Sequence, residues 1–364
     1  MRLVARRLAG LLVALAIFLV AGELLARALD VVDRLNGYSR VLFTRGPGPD
    51  LPYVLRAGLD TAFLGTDVRV NRLGFRGPEV AATPAPGVRR VLVLGDSVVF
   101  GQGIPDDDTV ARALERQLNA ARAGTFEVIN GGVPGYDTVA EARLLEDRGL
   151  RLRPEIVVVG ISLNDYDVAP VYNALGFLAR KQLGERAPTL VERSEFLTLL
   201  RWLWGYLRGT LWYQAVDRAA EAERARATTG GPAADPLAGL ARLVETEHLR
   251  FYREPTPAHW DRFRRALVDL RRLAETHGVR LLAVIFPEGY QLDVAEPDLT
   301  PQRRLIEACI EAGVTCVDLR PAFVADGGNL FTDVQHPNAR GHAVAATAIA
   351  RALVRPEISS PPAN

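Results

Sequence analysis

Three residue types that can together drive acyl chemistry stand far apart in this chain. The tripeptide Gly95-Asp96-Ser97 ends an apolar run, Val91 to Leu94, and places a hydroxyl directly after it. A serine oxygen becomes a nucleophile when a neutral imidazole takes its proton. A carboxylate on the other ring nitrogen then fixes the tautomer and stabilises the imidazolium. Histidines occur at 248, 259, 277, 336 and 342, and only His336 lies on a loop with an acid, Asp333, three residues before it. His248, His259 and His277 fall in charged helical stretches and read as solvated. His342 opens the last helix, where packing or capping accounts for it. The tract Asn130-Gly131-Gly132-Val133-Pro134-Gly135-Tyr136 is a tight turn that exposes backbone N–H groups, the donors an oxyanion needs. Gly160-Ile161-Ser162-Leu163-Asn164-Asp165 adds a side-chain amide. The stretch from Gly95 to Gly103 lacks the spacing and the lysine of a phosphate loop.

These groups need a frame that brings them to one edge. From Arg89 onward, apolar runs at Val91 to Leu94, Phe126 to Ile129, Ile156 to Val159, Val279 to Phe286 and Val314 to Leu319 alternate with helical patterns. Those patterns cover 108–123, 138–150, 258–277, 301–312 and 339–354. Uninterrupted apolar runs suit strands buried on both faces, and the alternation predicts a parallel sheet with helices on both sides. Ligand sites in such sheets lie beyond the carboxyl ends of the strands, where each candidate residue falls. About 115 residues separate the third and fourth strands, too many for a crossover, and predict a helical insertion at about 166–257. Its apolar face runs from Phe196 through Leu199, Leu200, Leu203, Leu207 and Leu211, widened by Trp202, Trp204, Trp212 and Tyr213. Packing on the domain or forming a lid is the simpler role for it, and lying on a membrane is the rival. Residues 30–88 are loop and hairpin material that predicts a structural wrap, and 356–364 read as a disordered tail.

The N-terminus is a basic head with Arg2, Arg6 and Arg7, followed by an uncharged apolar stretch from Leu8 to Gly22. At about 1.5 Å per residue that stretch is short of a ~30 Å hydrocarbon core, so a spanning helix must continue past Glu23 toward Leu29. A cleaved signal peptide is the alternative, and either one exports the rest of the chain. No sharp small-x-small cleavage site stands out, which favours a retained anchor over 1–29, and Arg2, Arg6 and Arg7 holding the N-terminus in the cytoplasm would leave the 89–355 domain extracytoplasmic. Forty-four basic residues, all arginine but Lys181, stand against 43 acidic ones. The resulting net charge of +1 provides no field to collect nucleic acid. Cys309 and Cys316 cannot hold zinc alone, and in an exported chain a disulfide and a pair of free thiols are both open to them.

Taken in order, Gly95-Asp96-Ser97, the Asn130 to Gly135 turn, Asn164-Asp165 and Asp333-x-x-His336 resemble the sequence blocks of the SGNH (GDSL-type) hydrolases. The resemblance implies a three-layer α/β/α, flavodoxin-like fold and cleavage of carboxylic esters through an acyl-serine, with no metal or organic cofactor. It implies Ser97 as nucleophile, His336 as general base and Asp333 as its orienting acid. Ser97 N–H, Gly135 N–H and the Asn164 amide would form the oxyanion hole. Substrates would be ester-bearing small molecules, glycans or lipids. Transfer of acyl groups to an envelope polysaccharide would use the same residues; a non-catalytic envelope protein on this scaffold is a further alternative, and the Trp-rich insertion leaves open a lipase working on the membrane itself. The chain departs from the family pattern at Val98, where leucine is usual, and at Ser162, which holds a glycine position while Gly160 falls two residues earlier. The anchor and the tract Val68 to Gly77 also resemble membrane-attached bacterial members; a structural wrap around the sheet is the first reading of that tract, and arginines reaching the active-site cleft are the alternative.

Overall fold

The computed structural model describes residues 2–29, 42–48, 50–63, 66–120, 124–163, 165, 194, 196–197, 199–200, 203, 257–293, 297–333 and 335–354. Helix α1 (Arg2–Ala28) runs through Glu23 without a break, about 40 Å at 1.5 Å per residue. Its Ala9–Ala28 segment, of mean hydropathy 2.4, is long and apolar enough to cross a membrane, a property it shares with signal sequences. Glu23 pairs with Arg27 at 2.6 Å and accepts hydrogen bonds from Ser194 Oγ at 2.7 Å and Phe196 N–H at 3.0 Å. The Phe18 ring meets Phe196 edge-on at 5.4 Å, so this described part of the insertion packs on α1. The remainder of the insertion, His248 and the 356–364 tail lie outside the described residues.

Two antiparallel hairpins follow: β1 (Phe43–Gly48) with β2 (Leu51–Leu55), and β3 (Leu59–Phe63) with β4 (Thr66–Val70). Then come β5 (Arg89–Gly95), α2 (Ser97–Phe100), α3 (Val110–Asn119), β6 (Phe126–Gly132), α4 (Thr138–Asp147) and β7 (Ile156–Ile161). After the insertion the chain forms α5 (Pro257–Thr276), β8 (Arg280–Ile285), α6 (Tyr290–Asp293), α7 (Thr300–Ala312), β9 (Cys316–Asp318), α8 (Arg320–Asp326) and α9 (Ala339–Val354). Strands β5 to β9 make one parallel sheet in the order β6-β5-β7-β8-β9, the flavodoxin-like order.

Side chains of a strand alternate between faces, and each face here has its own core. Leu92, Leu94, Val157 and Val159 pack with α4, α5, α7 and the 42–75 tract. Val91, Val93, Ile156 and Val158 pack with α2, α3, α8 and α9. The three-layer α/β/α expectation therefore holds.

Three element expectations are corrected by local hydrogen bonding. The helix over 108–123 splits at Thr109, whose ψ of 156° is extended, into a one-turn 3₁₀ segment (Asp106–Asp108) and α3. That helix stops at Asn119, whose side chain bonds Thr125 N–H, Phe126 N–H and Phe126 O and so turns the chain into β6. The fifth strand is shorter than Val314 to Leu319, because Val314 N–H donates to Cys309 O and is spent closing α7. Helix α4 ends at Asp147 and gives way to a 3₁₀ turn, Gly149–Leu152. Cys309 and Cys316 are free thiols. A hydrogen bond from one to the other, together with burial, pushes the Cys316 thiol up.

Candidate active site

Ser97 is the first residue of α2, a single turn that follows β5 directly. Asp96 caps it, its carboxylate accepting Val98 N–H at 2.8 Å. This turn lies on a floor of glycines at the strand ends, where Gly95 is in register with Gly132 on one side and Gly160 on the other. A Cβ at Gly95 or Gly160 would fall 2.3 or 2.5 Å from Val99 Cγ2. A Cβ at Gly132 would fall 2.1 Å from Phe100 N, a contact with backbone that no rotamer change relieves. Gly160, two residues ahead of the family's usual glycine position, thus has a structural task of its own beneath Val99. Gly132→Ala is expected to displace α2. It should destabilise the protein by about 1 to 3 kcal/mol and reduce turnover by about 10²-fold or more, read as the melting temperature and kcat of the purified variant.

The structure brings Ser97, His336 and Asp333 together across 239 residues of chain. Ser97 Oγ is 3.0 Å from His336 Nε2. On the far side of the ring, Nδ1 is 2.8 Å from Asp333 Oδ2 and 3.0 Å from Oδ1. Ser97 and His336 are buried, whereas the Asp333 side chain is about half exposed. Asp333 Oδ1 also accepts the backbone N–H groups of Gln335 and His336, and Thr332 donates twice to His336 O, so the loop is closed on itself. Burial pulls the Asp333 carboxyl upward. The bonds from His336 and the backbone outweigh it and hold the pKa down to about 2. An ionised Asp333 keeps the proton on Nδ1 and leaves Nε2 as the acceptor facing Ser97.

Gly135 sits in a turn that Tyr136 N–H closes on Val133 O at 3.1 Å. Pro134 and then Gly135, with φ +79°, are the residue types a type II turn requires at its centre. Val133 N–H donates to Gly95 O at 2.9 Å, which ties this turn to the one carrying Ser97. Asn164 lies outside the described residues, but its neighbours are placed. Ser162 Oγ donates to Asp96 Oδ1 at 3.1 Å, and Asp165 Oδ2 accepts Ser162 N–H at 3.2 Å. His259 and His277 are exposed, as their charged stretches predict.

Two features were not legible in the sequence. Three buried carboxyls, Asp96, Asp165 and Glu141, interact with one another at the turn that carries Ser97. Neither oxygen of Glu141 has a hydrogen-bond partner among the described residues. Burial raises all three pKa values, and repulsion from neighbouring carboxyls adds to it for Glu141 and Asp165, whose values lie well above the ordinary range. An acid held protonated in the fold but ionised in the unfolded chain above about pH 4.3 makes stability fall as pH rises. Glu141→Gln is therefore expected to be more stable than wild type at pH 8, with the gap closing toward pH 4, in urea midpoints measured across that range. The second is the target of His342: it is buried and caps, as its place at a helix start predicts, but its Nδ1 accepts Val110 N–H at 3.0 Å and so caps α3 and not its own helix, α9. Among the described residues no group of three or more His, Cys, Asp or Glu is placed to hold a metal ion.

The profile of the GDSL-like Lipase/Acylhydrolase family matches residues 93–344. A search of the curated proteins found no match. Solved structures similar to this chain include the psychrotrophic esterase EstA from Pseudoalteromonas sp., at 11% identity and TM-score 0.38, covering 73% of this chain and 96% of that one. The acetyl xylan esterase AlAXEase matches at 13% identity and TM-score 0.41, covering 73% and 100%. TesA matches at 12% identity and TM-score 0.40, covering 73% and 98%. Family membership rests on the profile match, which spans more than half of the chain.

Proposed function

Since the chain belongs to the GDSL-like lipase/acylhydrolase family and is an SGNH-type esterase acting on ester bonds, we propose that Ser97, His336 and Asp333 carry its reaction and that its substrate is an O-acyl group on an envelope glycan or lipid. The observation that supports the residue assignment most is the unbroken line Ser97 Oγ to His336 Nε2 at 3.0 Å and Nδ1 to Asp333 at 2.8 Å. His336 takes the Ser97 proton as Oγ attacks the ester carbonyl carbon. The oxyanion is held by Ser97 N–H, Gly135 N–H and the Asn164 amide. His336 then protonates the leaving alcohol, the C–O bond breaks and an acyl-serine remains. A water, deprotonated by His336, attacks the acyl carbon and releases the carboxylic acid with Ser97 restored. The substrate class rests on α1 as a retained anchor, with Arg2, Arg6 and Arg7 kept in the cytoplasm and the catalytic domain held at the outer face of a bacterial cytoplasmic membrane.

Labelling with a fluorophosphonate serine probe tests this assignment. Wild type is expected to label, and Ser97→Ala and His336→Ala are not. Label on a folded Ser97→Ala protein would place the nucleophile elsewhere. Asn164→Ala is expected to reduce kcat by about 10²- to 10³-fold, the usual cost of one oxyanion donor. Supplying an acyl donor with an envelope glycan and assaying both free acid and glycan ester identifies the acceptor. Accumulation of glycan ester in place of free acid would overturn hydrolysis in favour of transfer.

A further inference from the structure

The family match begins at Val93, yet the elements that carry Ser97 and Gly135 are gripped by residues that precede it. Arg76 is fixed at the sheet by backbone bridges to Val70 and to Asn130 of β6. Its guanidinium, 1% exposed, donates from Nη1 to Phe100 O at 2.6 Å and to Gly101 O at 2.7 Å. Nη2 donates to Ile104 O at 2.5 Å, and Nε to Asp106 Oδ1 at 2.8 Å. The same group lies 4.4 Å from the centre of the Phe100 ring. Arg69 holds the other oxygen of Asp106, through N–H and Nε at 3.3 Å each. Phe100 and Gly101 are the last residue and the C-cap of α2. The final carbonyls of a helix have no partner within it and carry partial negative charge. Here Asn130 Nδ2 donates to Val99 O and Phe100 O and Ile104 N–H to Gly101 O, and Arg76 adds the positive charge and a second donor to both Phe100 O and Gly101 O. In a helix of one turn this fixes both ends, Asp96 at the start and Arg76 at the finish.

Tyr53 of β2 does the same for the other turn. Its hydroxyl donates to Pro134 O at 3.0 Å and lies 2.8 Å from where a Cβ on Gly135 would be. Its backbone oxygen accepts the Tyr136 hydroxyl, and the two rings are 5.3 Å apart.

We infer that the 42–77 tract is part of the catalytic scaffold, with Arg76 and Tyr53 as positioning residues that hold the Ser97 helix and the Gly135 turn in reacting geometry without touching substrate. The inference rests on Ser97 and Gly135 having the roles proposed above.

The test uses the full chain in detergent. It reads kcat and KM for a small activated ester, the rate of fluorophosphonate labelling, and the melting temperature, for wild type, Arg76→Ala, Arg76→Lys and Tyr53→Phe. Arg76→Ala is expected to lose about 10²-fold in kcat and in labelling rate with KM little changed, since a shift of about 1 Å at the nucleophile costs that much. Added millimolar guanidinium should restore part of the loss, and equal ammonium should not. Lysine should rescue poorly, because a compact ammonium cannot reproduce a planar fork meeting four acceptors. A folded Arg76→Ala that labels at the wild-type rate overturns the inference. So does a loss that tracks melting temperature and ignores guanidinium. If Arg76→Ala does not fold, Tyr53→Phe decides, since it removes one hydroxyl only. Its kcat should fall several-fold with an unchanged melting temperature, and an unchanged kcat overturns the inference. Wild type that fails to label at Ser97 would instead sink the parent assignment, and this inference with it.

Discussion

Removing the Ser97 hydroxyl is expected to lower ester turnover by about 10⁴- to 10⁶-fold. The substitution Ser97→Ala keeps the Cβ, and the residue is already buried with its backbone in α2. The packing of Val98 and Val99 against the sheet is untouched, so the melting temperature should move little. What disappears is the only oxygen in hydrogen-bond reach of His336 Nε2 among the described residues. His336→Ala should cost a similar factor, and the double variant little more than either, as the proposed pairing of Ser97 as nucleophile with His336 as base requires. Steady-state hydrolysis of an activated ester, with the same preparations assayed for folding, checks all three. Additive losses in the double variant would mean that the two residues act in separate steps.

Acid should unfold this protein through His342. Burial is the main cause, with the charges of Arg76 and His336 behind it, and together they hold the imidazole's pKa down to about 3. In the unfolded chain it titrates near 6.5. The fold's contribution from the neutral ring is thus present above about pH 6.5 and is lost as pH falls toward 3. At about 1.4 kcal/mol per pH unit this amounts to roughly 4 to 5 kcal/mol. The side chain is 1% exposed, so solvent screening does not reduce that figure. His342→Asn leaves an oxygen able to accept Val110 N–H but nothing to protonate. Its urea midpoints between pH 4 and pH 7 should fall far less steeply than those of wild type. Equal slopes would assign the acid sensitivity to another group.

What the sequence determined by itself was the part of the protein that local pattern encodes. Uninterrupted apolar runs with intervening helical stretches specify strands buried on both faces and the helices that cover them. The sheet and its two helical layers therefore followed from Val91 to Leu94, Ile156 to Val159 and their neighbours. Chemical type singled out Ser97, Asp333 and His336 as a set, since only one histidine has a loop and a nearby acid, and the fold brings the three within hydrogen-bond reach. The single tract that joins Gly95 to Ser97 likewise announces a sharp turn after a strand.

The tertiary structure alone decided what depends on which distant surfaces meet. The tract Val68 to Gly77 stands out in the sequence, but nothing local tells Arg76 from Arg69 and Arg72 within it, and its contacts arise because a hairpin returns to the back of α2. Glu141 looks like an ordinary acid in the first turn of α4 until burial among Asp96 and Asp165 forces it to keep its proton. His342 looks like any helix-start histidine until α9 is laid against the open N-terminus of α3. In each case the deciding quantity is desolvation or a contact between residues far apart in the chain, and neither is a property of the residue or its neighbours in sequence.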